Sequence, residues 1–232
     1  TRIIYSCMGY ILLGKILERV GCAPLDRLAK ELVFDPLGMT HTGYCPENPE
    51  ECAATEYDPV LGKCLCGVVH DENARFLGGI AGNAGVFSTL NDMQRFASML
   101  ACGGKPYLTH PMFALAVQNH TKGMSQNRGL GFQLKGGDSC FIGDLFGKRS
   151  FGHTGFTGTS LAVDPDSGLY VVLLTNRVHP TRSNTKLIRF RKALHNWGGT
   201  VLKSRRRQKK FLLGGWIWIG RFLKNLHRSP LD

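Results

Sequence analysis

No run in this sequence reaches the roughly 18–20 consecutive apolar residues that a membrane-spanning helix needs. The His-Glu-x-x-His pattern of zinc peptidases and the Gly-x-Ser-x-Gly nucleophile elbow are both missing, which excludes two common hydrolase designs. No Cys-x-x-Cys occurs, and Cys64-Leu65-Cys66 is too tightly spaced for a zinc knuckle, so no metal site is expected. Acidic residues are scarce, 17 against 29 Lys and Arg. That imbalance would suggest a nucleic-acid partner if it were spread over the chain, but it is local. Residues 200–232 hold nine Lys or Arg and one Asp, whereas residues 1–199 hold twenty basic and sixteen acidic side chains. The basic character belongs to the tail, and no specific nucleic-acid binding is expected. The composition predicts a domain over residues 1–198 and a basic, Trp-rich tail over 199–232 lying outside it.

The eight cysteines are scattered through helix-like and loop-like segments of a sizeable domain. They read as free thiols of a reducing compartment, which favours a cytoplasmic location. No signal peptide is visible, but the native start is expected to lie upstream of Thr1.

Apolar residues at Leu12, Leu13, Ile16, Leu17 and Val20 recur at helical spacing, with Gly21 as the expected C-cap. Pro24 opens a second helix with a stripe of Leu25, Leu28, Ala29 and Leu32, ending before Asp35-Pro36. Residues 38–75 read as a long surface excursion with little regular structure. The glycine-dense segment Gly78 to Gly85 lacks the Lys and downstream acid of a nucleotide loop, so it reads as a turn that brings backbone close to a site. Thr89 or Asn91 then caps a helix with Met93, Phe96, Ala97 and Leu100 on its buried face.

Downstream the pattern changes to strands. Leu130, Phe132 and Leu134 alternate with Gly131 and Gln133. Residues 157–164 and 169–176 flank the turn Pro165-Asp166-Ser167-Gly168, and the run from Tyr170 to Leu174 predicts a strand covered on both faces. Ser183-Asn184-Thr185 caps a last helix with Leu187, Ile188 and Leu194 inward.

Tyr5-Ser6-Cys7 ahead of the first helix, and His153-Thr154-Gly155 leading into the strand hairpin, resemble in this order the second and third motifs of the penicillin-recognising serine hydrolases. The closest match is the class C β-lactamase, D,D-carboxypeptidase and esterase group. The segments Pro36-Leu37-Gly38-Met39 and Gly82 to Thr89 support the resemblance, which covers about residues 3–195. It implies an α+β fold, an antiparallel sheet flanked by helices, without a cofactor. It also implies acyl-enzyme hydrolysis of an ester, amide or β-lactam, with a small molecule or peptide as substrate. Carried over by motif, Tyr5 and His153 are the catalytic candidates, and Cys7, Thr154, Gly155 and Phe156 the substrate-binding ones. Phe156 would offer its backbone N–H to an oxyanion. Cys7 stands where the family usually has Asn, and a thiol is a weak donor and acceptor beside a carboxamide. His153 stands where the family usually has Lys.

The family's first motif, Ser-x-x-Lys, supplies the nucleophile and should precede Tyr5. The only such pattern in the chain is Ser183 to Lys186, which follows the His-Thr-Gly motif and reads as a helix cap. These residues are therefore expected to form the C-terminal portion of such a hydrolase and to be inactive alone. The alternative is a non-catalytic remnant that binds peptidoglycan-like peptides, or that contacts a membrane surface weakly through residues 203–223.

Overall fold

The computed structural model describes residues 2–138, 140–204, 210–213 and 217–221. The first helix, α1 (Cys7–Gly21), starts where Ser6 takes extended backbone and its Oγ accepts from Gly9 N at 3.2 Å. It stops at Cys22, which adopts left-handed backbone with φ 51°. Gly21 is thus not the left-handed cap that its sequence position suggests. Its missing side chain serves packing instead, because a Cβ there would lie 2.7 Å from Leu28 Cδ2. Helix α2 (Leu25–Ala29) follows Pro24 and widens into a π-helical turn, Lys30–Phe34. The extra residue in that turn rotates the stripe. Phe34 is buried and Leu32, expected inward, faces solvent.

The excursion over 38–75 carries more structure than its composition suggests. Strand β1 (Gly43–Tyr44) pairs with β4 (Val86–Phe87), and β2 (Tyr57–Asp58) pairs with β3 (Lys63–Cys64). Two-residue strands are too short to leave a periodic trace in a sequence. A 3-10 turn spans Pro49–Glu51, and Asp71 caps a short helix, α3 (Glu72–Phe76), by accepting from Ala74 N at 2.8 Å. The excursion is pinned to the far end of the chain. Tyr57 N donates to Pro180 O at 2.9 Å, and His179 Nδ1 lies 2.9 Å from Thr55 O.

The main sheet is antiparallel throughout. It contains β5 (Gln126–Arg128), β6 (Gln133–Gly137), β7 (Phe151–Thr154), β8 (Ser160–Asp164) and β9 (Leu169–Leu173). Two strands of the tail extend it, β10 (Lys210–Leu213) and β11 (Ile217–Arg221), in the spatial order β10-β11-β9-β8-β7-β6-β5. Gly131, at φ 76°, interrupts the alternation read over 130–134, so β6 begins only at Gln133. The hairpin arms are shorter than their apolar runs. The ends nearest the His-Thr-Gly motif turn into loop, where Thr175 Oγ1 donates to Gly158 O and Arg177 N to Thr157 O, both at 2.7 Å.

Helices α4 (Leu90–Ala101, capped by Thr89) and α5 (His110–Ala116) cover one face. There Ala97, Leu100 and Phe113 pack on Phe151, Leu161, Val163, Tyr170 and Val172. The opposite face carries Ala162, Leu169 and Val171 under Phe141, Ile142 and Phe146. Helix α6 (Lys186–Ser204) also packs against β9. Every residue of β8 and β9 is buried, as expected for strands covered on both faces. Helix α6 runs through the composition change near Asn196 to Ser204, and β11 pairs along all of β9. Residues 205–209, 214–216 and 222–232 lie outside the described residues, and with them much of the segment expected to touch membranes. No described helix is long and apolar enough to cross a membrane.

One surface departs from globular practice. The apolar stripe of α1 points outward: Met8, Leu12, Leu13, Ile16, Leu17 and Val20 are each 47–77% exposed. Nothing among the described residues covers them. A contiguous apolar patch of this kind promotes association in water. The purified chain is expected to aggregate and to bind an apolar dye such as ANS. Introducing Leu12→Glu and Ile16→Glu together should lower dye binding with little change in melting temperature. A monodisperse wild-type monomer that melts cooperatively without dye binding would overturn this expectation.

Candidate active site

The segments that carry the two sequence motifs meet in space. Tyr5 precedes the cap of α1, and its ring lies 6.0 Å from the His153 ring and 5.7 Å from the Tyr10 ring, centroid to centroid. His153 sits on β7 opposite Leu161, and its Nδ1 lies 2.9 Å from Thr154 O. The carbonyl can only accept, so Nδ1 carries the proton and Nε2 is left as an acceptor. Burial pushes the His153 pKa below its ordinary value, against the contrary pull of the Thr154 carbonyl. The ring is therefore neutral near pH 7. Tyr5 is shifted the other way. Burial, with smaller contributions from Cys7 and Tyr10, raises its phenol above the ordinary value, and Arg128 opposes weakly.

Cys7 opens α1, half-buried. Thr154 pairs with Ser160 at the end of β7. Gly155 turns the chain out of the strand with its N–H on Thr159 O at 2.8 Å. Phe156 follows at the surface. Its backbone N–H donates to no backbone oxygen among the described residues. The Phe156 ring is held from two directions. His70 stacks on it at 5.6 Å and 24°, and the Arg177 guanidinium carbon lies 4.4 Å from the ring centre.

Sequence reasoning did not find this second layer of residues. Arg177 Nε donates to Phe156 O at 2.8 Å, and its Nη1 donates to Arg182 O and Asn184 O. Glu56 accepts from Arg182 N at 2.8 Å and Arg182 Nε at 2.6 Å, and lies 3.0 Å from His70 Nε2. Arg182 also reaches Glu72 at 2.5 Å. Burial alone would raise the Glu56 pKa, but the bonds from Arg182 and His70 outweigh it and hold the carboxyl at about 2. These residues come from the long excursion and from the loop after β9. Neither segment carries a motif, and only the dipeptide Asn176-Arg177 after an apolar run hints at a role.

The glycine-dense loop packs against the helix behind Tyr5. Gly82 touches the backbone of Tyr10 and Gly14, and Asn83 Nδ2 donates to Asp71 Oδ1 at 3.0 Å. The Ser183 to Lys186 segment leads into α6, with Asn184 Oδ1 accepting from Lys186 N at 3.2 Å and Asn184 O accepting from Arg177 Nη1. Among the described residues, no group of three or more metal-ligating side chains occurs.

The family model described as Beta-lactamase matches residues 1–196. A putative D-alanyl-D-alanine carboxypeptidase of Escherichia coli K12 is 34% identical over 196 residues, which is 76% of this chain and 45% of that protein. Its counterpart in Salmonella gallinarum is 33% identical, covering 79% of this chain and 47% of that protein. The chain thus spans about half the length of the curated relatives it matches. Among solved structures, a β-lactamase from Mycobacterium bovis superposes with a TM-score of 0.63 at 23% identity, over 88% of this chain and 65% of that one. A variant of simvastatin synthase from Aspergillus terreus gives 0.64 at 16% identity, over 90% of this chain and 56% of that one. At such identities the two structures speak for the fold alone.

Proposed function

Since this chain belongs to the beta-lactamase family, we propose that it forms one wall of a serine hydrolase site that cleaves an ester, amide or β-lactam through an acyl-enzyme. The meeting of Tyr5 with His153, their rings 6.0 Å apart near the end of β7, is the observation that supports this best. In this reading, Tyr5 relays the proton between a nucleophilic serine and the leaving group. Phe156 N–H stabilises the oxyanion, and Thr154 and His153 flank the substrate. The serine and its companion lysine are supplied by residues outside these 232.

The proton inventory explains why these residues alone would not react. A phenol works as a base only when a nearby cation lowers its pKa. Tyr5 is instead raised by burial, and the neutral His153 beside it offers no compensating charge. A carboxamide is also lacking at position 7, so a substrate amide meets the weak donor of Cys7 there. Ester or thioester substrates, which need no such partner for an amide N–H, fit this wall better than penicillins.

The purified chain, incubated with a fluorescent penicillin or a fluorophosphonate, is expected to gain no covalent mass. Joined or mixed with a segment that carries Ser-x-x-Lys, it is expected to be labelled on that serine. There, Tyr5→Phe should slow acylation by roughly 10²–10³-fold, the usual loss when a general base is removed. Stoichiometric labelling of the 232 residues alone would overturn the assignment of the nucleophile to another segment. Unchanged acylation in Tyr5→Phe would overturn the role given to the phenol.

A further inference from the structure

Two thiols of the long excursion converge on the loop that builds the wall beside Phe156. Cys66 Sγ lies 3.0 Å from Cys52 O and 3.0 Å from Pro49 O. The same Pro49 oxygen accepts from Cys52 N at 3.1 Å. Cys66 sulfur therefore sits against the backbone of Cys52 itself, so the two side chains start from neighbouring backbone. Cys52 Sγ is held only by a long contact to Asn48 O at 3.9 Å, too weak to fix its rotamer. Both residues are free thiols of intermediate exposure. No other two cysteines among the described residues share a hydrogen-bond partner in this way. Cys22 bonds to Arg19 O, and Cys45 to Gly78 O on the glycine-dense loop.

The chain between the two thiols has a definite task. It contains the β2–β3 hairpin and the arm Thr55-Glu56-Tyr57. Thr55 O faces His179, Tyr57 N reaches Pro180 O, and Glu56 binds His70 and Arg182, the residues around Phe156. At its base the arm is held by Thr55 N on Leu65 O at 2.7 Å and Leu65 N on Glu56 O at 3.0 Å. A covalent link at the root of this loop would restrict the arm that supports the wall.

We propose that Cys52 and Cys66 form a reversible oxidative modification site, a dithiol that a hydroperoxide converts to a disulfide, stapling the arm that braces Phe156. The chemistry balances with the peroxide as the only co-reactant. Cys66 as thiolate attacks the terminal oxygen of the peroxide, the O–O bond breaks, and an alcohol or water leaves with the proton. The sulfur is now a sulfenic acid. Cys52 attacks that sulfur, the S–O bond breaks, the S–S bond forms, and water leaves. The two thiols lose two electrons and the peroxide gains two. A dithiol reductant returns the pair to the starting state by exchange.

The test uses the full 232-residue chain. Hydrogen peroxide is added, the remaining thiols are alkylated, and the chain is digested with trypsin, which opens the loop after Lys63. A variant with Cys45→Ser and Cys64→Ser removes the other cysteines from the two peptides. The expected product joins the Cys52 peptide to the Cys66 peptide with the mass of two hydrogens lost, and dithiothreitol reverses it. The link should be absent in Cys66→Ser, whose circular dichroism should match the parent. Closing a loop of this length should raise the melting temperature of the oxidised chain by roughly 6–12 °C over the reduced chain. Alkylation of both Cys52 and Cys66 after peroxide, or their linkage to other cysteines, would overturn the site. A Cys52–Cys66 link without a rise in melting temperature would overturn the stapling role.

Discussion

Acidifying the protein from about pH 7.5 to about pH 4.5 is expected to remove roughly 2–3 kcal/mol of stability through one residue, His195. This ring is fully buried on α6, between Phe141 and Phe146. Phe141 O, which can only accept, lies 3.2 Å from Nδ1, and Ser160 Oγ lies 3.3 Å from Nε2. The neutral ring satisfies both: Nδ1–H donates to the carbonyl and Nε2 accepts from the hydroxyl. Protonation would set two donors in an apolar pocket near the Arg191 guanidinium, itself only 6% exposed. Burial first, and Arg191 after it, push the pKa down to about 4, against the opposing pull of the Phe141 carbonyl. Between that value and the unfolded value near 6.5, the unfolded chain binds the extra proton. The contribution is therefore complete above about pH 6.5 and is lost as the pH falls towards 4. Glu56, held at about 2, begins to lose its contribution as the pH falls through the ordinary carboxylate value of 4.5 and has lost it by about 2. Urea midpoints measured across this range should fall steeply for the wild type and much less for His195→Gln. Parallel curves for the two proteins would show that another group drives the acid transition.

The second large effect is expected from Gly82→Ala. A Cβ on residue 82 would stand 2.1 Å from Tyr10 O and 3.1 Å from Gly14 N. Both atoms belong to the backbone of α1, so no side-chain rotation can relieve the overlap. Either the glycine-dense loop or the helix must move, at a cost of roughly 2–3 kcal/mol for a forced overlap of this kind. Helix α1 carries Tyr5 at its start, so a shift also separates the phenol from His153. Gly43→Ala is the control, because nothing lies within 4 Å of a Cβ there. Its change in urea midpoint should stay small, within about 0.5 kcal/mol. If Gly82→Ala matched this control, the close approach of loop and helix would carry no energetic weight. Loss of the ring contact would appear as altered chemical shifts of the His153 ring protons.

Much of the fold was legible because its signals are local. Thr89 caps α4 as a hydroxyl before an amphipathic run should, and the Pro165 to Gly168 turn lies between two apolar runs that became β8 and β9. Where a signal depended on distant partners, the reading drifted. The stripe of α1 was correct as a helical period, but the sequence does not say what should cover it, and none of the described residues does. The π-helical turn after α2 moved Leu32 outward, which a fixed period of 3.6 residues does not anticipate. The excursion over 38–75 looked featureless because its strands are two residues long and its anchors lie more than a hundred residues away, at 176–182.

The candidate site divides along the same line. By itself the sequence determined the residue types and their order: Tyr5 before Cys7 at a helix start, and His153-Thr154-Gly155-Phe156 before a hairpin. An ordered pair of motifs is information carried in one dimension, and it was enough to point to the family that residues 1–196 match. Only the tertiary structure decided which groups carry charge and which are held still. It shifted His153 down and Tyr5 up through burial, and assembled Glu56, His70, Arg177 and Arg182 around the Phe156 ring. The physical reason is that pKa values and hydrogen-bond partners depend on desolvation and on atoms a few ångströms away, and these are supplied by segments that the chain order keeps far apart.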